Sequence, residues 1–318
     1  SNLADASMDA KMLVPQMVRK GYSNAFSSVV TAFSAIITPL IPPGIAMILY
    51  GSLANISIGK LFVAGFGPGI LLCIALMIMV HFISKKRGYK PSRDKAATAS
   101  EFIDAFKKAF LPLLLPLVII GGIRIGIFTP TEAGSAAVVY ALFLGLIVYR
   151  EMGFKEFIAG LKETVTGTCG IMLIVGAASA FSWILTREKI PQIFMEFILA
   201  NISNKYIFLI VVNLFLLVVG MFVEGNAAMI ILVPLLAPTA AAYGIDEIQF
   251  AMTVIFNLAI GCVTPPVGTL MFVTCGITKC KIKDFLKEAV PFYVLILTCL
   301  VLITFVPAFS TGIVNLIY

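Results

Sequence analysis

The sequence predicts an all-α polytopic membrane protein built from inverted repeats, with re-entrant helical hairpins and broken transmembrane helices. Three observations carry that expectation: the composition, two Pro-Pro pairs set inside apolar helices, and a likeness between the two ends of the chain. The 318 residues are 60% hydrophobic and only 12% charged, with a mean hydropathy of +1.05. A soluble domain needs far more polar surface. Apolar runs recur over Leu61–Phe82, Ala136–Tyr149, Tyr206–Val223 and Val290–Phe309. Roughly 20 residues span the hydrocarbon core, so the shorter runs need their flanking residues to cross. The runs are continuous rather than alternating, which excludes an outer-membrane barrel.

The charge pattern then lays the chain across the bilayer. A net charge of +7 raises the question of nucleic acid, but the basic residues sit between the apolar runs. Topology selection places them there, so no nucleic-acid partner is expected. The polar segment His81–Lys108 holds eight Lys or Arg and is assigned to the cytoplasm. Alternating outward from it, Leu61–Phe82 runs inward, Ala109–Gly122 outward, Ala136–Tyr149 inward and about Val165–Leu185 outward. This leaves 17 basic residues in inside loops and four (Lys60, Arg187, Lys189, Lys205) in outside ones. The C-terminus falls on the periplasmic side. Arg187–Asn201 has apolar residues at helical spacing beside charges and reads as an amphipathic helix on the outer face. The six cysteines form no CxxC pair, so free thiols are expected, with neither a disulfide framework nor a zinc site.

The two ends of the chain resemble each other. A shift of 223 lays Pro42 on Pro265, Pro43 on Pro266, Lys60 on Lys283, Phe62 on Phe285 and Pro68 on Pro291. A shift of 219 lays Asp5 on Glu224, Ser7 on Asn226 and Pro15 on Pro234. Each copy thus reads as a polar tip (ADAS or VEGN), an apolar arm ending at LVP, a turn, and a helix broken by PP. The first broken helix, about residues 25–50, runs outward in this topology and the second, about 249–275, inward. The predicted organisation is a first repeat over 1–83, a basic cytoplasmic loop over 84–108 and linking helices over 109–204. A second repeat over 205–318 carries a re-entrant hairpin at 206–242. Inverted repeats with discontinuous helices are the architecture of secondary transporters, whose sites lie near the midplane.

A helix broken within the membrane exposes backbone groups that hydrocarbon cannot satisfy, so they must be buried or line a polar cavity. The N-terminus of each second half-helix offers N–H groups to an anion. Freed carbonyls, with hydroxyls such as Thr38 and Thr264, offer hard oxygen ligands suited to Na⁺. Gly44, Gly261 and Gly268 permit unusual backbone conformations or close approach. An anionic substrate is expected between the two breaks, at Pro43, Gly44, Pro266, Gly268 and Thr269, with Arg124 a candidate for attracting an anion or snorkelling to the interface. In FTPTEA, Thr129, Pro130 and Glu132 have the spacing of a capping box that starts a helix.

The stretches PLIPPGIAMILYG (Pro39–Gly51), SIGKLFVAGFGPGILL (Ser57–Leu72), GGIRIGIFTPTEAGSAAVVYAL (Gly121–Leu142) and GIDEIQFAMTVIFNLAIGCVTPPVGTLMFV (Gly244–Val273) resemble one family in particular. This is the large, DctM-type membrane subunit of the tripartite ATP-independent periplasmic (TRAP) transporters. The resemblance implies an inner-membrane, elevator-type importer coupled to Na⁺ and working on carboxylates such as C4-dicarboxylates, sialic acid or other sugar acids. It also implies two partners, a soluble periplasmic substrate-binding protein and a small four-helix membrane subunit. No organic cofactor and no enzymatic activity are implied. Carried onto this chain, the Na⁺ sites would comprise Ser1, Asn2 and Asp5 with Thr38, Pro42 and Gly44. The second set would be Glu224, Gly225 and Asn226 with Gly261, Thr264, Pro265 and Gly268. Two departures stand out. The chain begins SNLADAS without an initiator Met, so the first hairpin arm is expected to be missing, and Glu224 stands where the family usually has Asp. The rival readings are a stand-alone Na⁺/divalent-anion symporter, an ion channel, and a membrane enzyme using Asp5 or Glu224 as acid or base.

Overall fold

A computed structural model of the chain describes residues 2–89 and 98–318. It is helical, with no strand among the described residues, and six of its helices are long and apolar enough to cross a membrane. This is an all-α polytopic membrane protein. It divides into two compact units, one of Ser1–Ser92 with Glu188–Tyr318, the other of Arg93–Arg187.

The larger unit opens with α1 (Asn2–Arg19), α2 (Asn24–Ser34) and a 3-10 turn over Ala35–Leu40. After a break at residues 41–44 come α3 (Ile45–Ala54) and the long α4 (Ile58–Lys86). In the smaller unit, α5 (Ala99–Arg124) is followed by α6 (Pro130–Phe143), which runs on as a π-turn over Leu144–Val148, and by α7 (Phe154–Arg187). The larger unit resumes with α8 (Ile190–Asn201), α9 (Lys205–Phe222) and α10 (Gly225–Ala242). Then α11 (Glu247–Gly261) breaks over residues 262–268, and α12 (Thr269–Thr278), α13 (Ile282–Phe305) and α14 (Ala308–Ile317) complete the chain.

Local sequence explains most boundaries. Asp246 caps α11 by accepting from the Ile248 and Gln249 N–H groups, and Ser23 caps α2 by accepting from Phe26. The expected capping box at Thr129 is present, with Glu132 reaching back to the Thr129 N–H, and Thr98 and Glu101 form a second one that starts α5. The matching ends of α3 and α12 are left-handed: both are ten residues long and stop at αL positions, Asn55 and Lys279.

Several expectations need correction. Neither arm ends at LVP: α1 runs through Pro15 to Arg19, and α10 runs through Pro234 and Pro238 to Ala242. The first polar tip is helical, with Asn2 and Asp5 in the first turns of α1. The basic segment is helical at both described ends, with Lys85 and Lys86 in α4 and residues 99–108 in α5. The final apolar run is two helices, because α13 stops at Phe305 and Pro307 opens α14.

Packing within the larger unit is reciprocal. α1 lies on α12, and α10 lies on α3, so each arm rests on the half-helix of the opposite end of the sequence. α9 lies along α11, and α14 along α4. Within lipid such contacts depend on close approach rather than on removal from water. Gly220 and Gly261 supply it for α9 and α11: a Cβ built on Gly261 would stand 2.4 Å from the Gly220 carbonyl carbon. A buried aromatic cluster of Phe26, Phe33, Phe285 and Phe292 joins α2 to α13.

Candidate functional site

The two breaks are built alike in part. Pro42–Pro43 and Pro265–Pro266 are both cis peptides, and Pro43 and Pro266 are both exposed. The half-helices that follow, α3 and α12, have glycine N-caps, Gly44 and Gly268, and neither has a side chain bonded over its first N–H groups. Uncapped N–H groups at a helix start carry positive potential and lack partners within the helix. Gly268 has φ +45, the left-handed region that a side chain disfavours, and a Cβ there would also press on Thr264 O at 3.1 Å. Gly44 has an ordinary φ of −99, but a Cβ there would meet Pro39 O at 2.9 Å.

At the first break, the Thr38 hydroxyl donates to Asp5 Oδ2 at 2.6 Å. Two residues far apart in sequence are thereby joined by a charge-assisted hydrogen bond. Both are part-buried, and Asp9 follows one turn on along the same helix. At the second break, Thr264 donates instead to Ile260 O of its own helix at 2.8 Å. The Val263 carbonyl accepts from the Tyr293 hydroxyl of α13 at 2.6 Å, and the Cys262 carbonyl accepts from the Leu270 N–H at 2.8 Å. Some of the backbone groups released by the prolines are therefore already paired.

Glu224 is exposed and acts as the N-cap of α10, accepting from the Ala227 N–H at 3.0 Å and from the Asn226 amide at 2.8 Å. Its carboxylate does more local work than its place in the sequence alone would suggest. The Cys262 thiol donates to Leu258 O of its own helix at 3.5 Å. Both arms reach the second break, α1 by lying on α12 and α10 by its start. Gly225 opens α10 against Leu258, and Gly261 closes α11 against Gly220. Ser1 lies outside the described residues. So does the side chain of Arg124, whose backbone ends α5 in the smaller unit.

A polar seam behind the second break was missed by sequence reasoning. Gln249 donates to Thr304 O at 2.6 Å, Thr253 to Gln249 O at 2.9 Å, and the Asn257 amide to Asn213 Oδ1 at 2.7 Å and Asn213 O at 3.0 Å. Asn213 in turn donates to the Thr304 hydroxyl at 3.3 Å. The seam ties α9, α11 and α13 together where hydrocarbon offers no competing partner. Its signal was present, since residues 249, 253 and 257 repeat every four positions in a wholly apolar helix. A cavity of about 350 Å³, lined by Tyr50, Asn55, Pro238 and Glu247 among others, lies at the opposite end of α3 from its break. It shares none of the residues at either Pro-Pro pair.

Comparison with known proteins agrees with this architecture. The family model described as the DctM component of the tripartite ATP-independent periplasmic transporter matches residues 1–309. Over 310 residues the chain is 41% identical to the sialic acid TRAP transporter large permease protein SiaM of Vibrio cholerae, covering 98% of this chain and 72% of that protein. It is 37% identical over 317 residues to the sialic acid TRAP transporter permease protein SiaT of Haemophilus influenzae, covering all of this chain and 51% of that protein. Identity to the C4-dicarboxylate TRAP transporter large permease protein DctM of Pseudomonas aeruginosa is 35% over 315 residues, covering 99% of this chain and 73% of that protein. The chain therefore spans just under three quarters of two of these relatives and about half of the third. These relatives are named as permeases, not enzymes, so the acid–base reading of Asp5 and Glu224 falls away. With its broken helices and its match over nearly the whole length, the chain belongs to the DctM family of TRAP transporter large permeases.

Proposed function

We propose that this permease works in the bacterial inner membrane as part of a Na⁺-coupled secondary transporter that imports a carboxylate by an elevator movement. Its cargo would be a C4-dicarboxylate, a sialic acid or another sugar acid, the classes that the names of its relatives span. A periplasmic binding protein would deliver it, and a small four-helix membrane subunit would accompany the permease. The basic segment 84–108 would lie in the cytoplasm and the C-terminus in the periplasm. Residues 1–83 and 205–318 would form the two inverted repeats, with residues 206–242 a re-entrant hairpin.

The observation that carries this reading is the pair of uncapped half-helices, α3 and α12, opening beside arms that present Asp5 and Glu224. A carboxylate is suited to the N–H groups of Gly44, Ile45 and Ala46 and of Gly268, Thr269 and Met271, next to the exposed rings of Pro43 and Pro266. Na⁺, as the coupling ion, is suited to oxygen donors of the Asp5–Thr38 type and to the carbonyls of the second break. Ion binding at both places would draw the arms onto the breaks before the loaded unit moves.

Reconstituted uptake tests the proposal. The whole transporter, in liposomes, is given labelled carboxylates with and without the binding protein and with and without a Na⁺ gradient. Uptake that needs both is expected. Uptake indifferent to Na⁺ would sink the coupling, and full uptake without any binding protein would instead mark a stand-alone symporter.

A further inference from the structure

The far end of α3 encloses the cavity of about 350 Å³ together with the C-terminal half of α10 and the start of α11. Its inner wall is apolar and buried, built from Ile56, Val233, Ala240, Ile245 and Phe250. Its lip is polar, with Asn55 and Glu247 both exposed. The volume lies at the lower end of the roughly 300–1,000 Å³ that small-molecule pockets occupy. Such a shape suits a ligand with an apolar body and one polar end. The residues present decide the sign of that end. Among the described residues that line the cavity, Glu247 is the only charged one, and none is Lys, Arg or His. Leu53 and Ala54 bring the C-terminus of α3 into the same wall. The last carbonyls of a helix lack partners within it and carry partial negative charge. The start of α11 does not offset this, since Asp246 already accepts from the Ile248 and Gln249 N–H groups. An anion would therefore meet only like charge.

We propose that this cavity binds a small aliphatic primary amine in its ammonium form. The ammonium donates to the Glu247 carboxylate and to the end of α3, and the stem lies against Val233, Ile245 and Phe250. A bare metal ion is a poorer fit, because it needs several oxygen ligands. Among the described residues no group of three His, Cys, Asp or Glu side chains is placed to hold one. A phospholipid headgroup is a poorer fit as well, because its phosphate would find no cation among the lining residues. Tyr50, wholly buried in the wall, adds a hydroxyl that has no hydrogen-bond partner. An unpaired buried hydroxyl is costly, and an N–H donor brought within its reach offsets that cost. The amine touches α3 and α10 together, so its binding fastens the two helices in the packing they show. None of this depends on what the permease carries.

Calorimetric titration of the full chain in detergent with n-hexylammonium chloride tests the assignment, with n-hexanol and hexanoate as neutral and anionic counterparts of the same length. Saturable binding of hexylammonium is expected, weaker at high salt, with hexanol weaker still and hexanoate not bound. Glu247→Gln keeps the shape of the lip and removes its charge. Affinity for hexylammonium should then fall about five-fold, the upper range for an exposed ion pair. Ala237→Leu fills the cavity from α10 and should abolish saturable binding, which also separates it from partition into the micelle. Absence of saturable binding to the unaltered chain would overturn the proposal. So would hexanol binding as tightly as hexylammonium, or an affinity for hexylammonium unchanged in either variant.

Discussion

The two breaks share a motif but differ in where their polar groups find partners. The first is held from outside: Thr38 reaches across to Asp5 on α1. The second is largely held by its own surroundings, with Thr264 bonded to Ile260, Tyr293 covering the Val263 carbonyl, and Glu224 occupied in capping α10. The lesson is that a repeated motif need not give two equal sites. Loss of an arm contact should cost the first break more, and loss of backbone geometry should cost the second more.

The largest effect is expected at Gly268. A side chain held at a left-handed φ costs on the order of 1–2 kcal/mol, and Val adds bulk against the Thr264 carbonyl. Gly268→Val should abolish Na⁺-dependent uptake in liposomes while the protein still inserts, and Gly44→Ala should retain part of it. Equal loss in both would mean that the left-handed turn is not what separates the breaks. Next comes the hydroxyl pair. Thr38→Val strands a part-buried carboxylate and removes a hydrogen bond of about 1.5–3 kcal/mol, the range for bonds to charged groups. Thr264→Val removes only a bond within its own helix. Thermal unfolding in detergent should therefore fall further for Thr38→Val, and the Na⁺ concentration for half-maximal uptake should rise further. Equal shifts would dissolve the comparison.

A smaller change sharpens it. Tyr293→Phe uncovers the Val263 carbonyl and should cost about 0.5–1.5 kcal/mol in a thermal unfolding series. The smallest effect is expected at the ion pair between Arg87 and Glu288, 2.7 Å apart and partly exposed. Arg87→Gln should change stability by about 1 kcal/mol or less, and less still at high salt. A larger loss would point to the stacking of Arg87 over the Phe26 ring, 5.2 Å from its centroid.

Some of this was legible in the residues. Proline removes a donor wherever it sits, so both PP breaks and the half-helices beyond them could be placed from composition alone. The capping box at Thr129 and the helix over Ile190–Asn201 were equally local. What failed was local evidence read too strictly. Pro15 and Pro234 looked like the ends of the arms, yet each lies inside a helix, where neighbouring helices can compensate for the lost bond. What was invisible was non-local. Nothing near α1 announces α12, because packing partners separated by most of the chain leave no periodicity to read. The seam through Asn257 lay between these cases, visible as a four-residue repeat but without its partners Asn213 and Thr304.

The crossing of each arm onto the opposite half-helix has a consequence for biosynthesis. α1 cannot meet α12 until Thr269–Thr278 has left the ribosome. At roughly 5–20 residues per second, the interval between Asn2 and Thr269 is on the order of ten seconds to a minute. Throughout it α1 must wait in or beside the insertion machinery without its partner α12, although Thr38 is made early enough to reach Asp5. The packing of α1 on α12 is therefore a late step in the maturation of this permease, after α1 can already rest on α2.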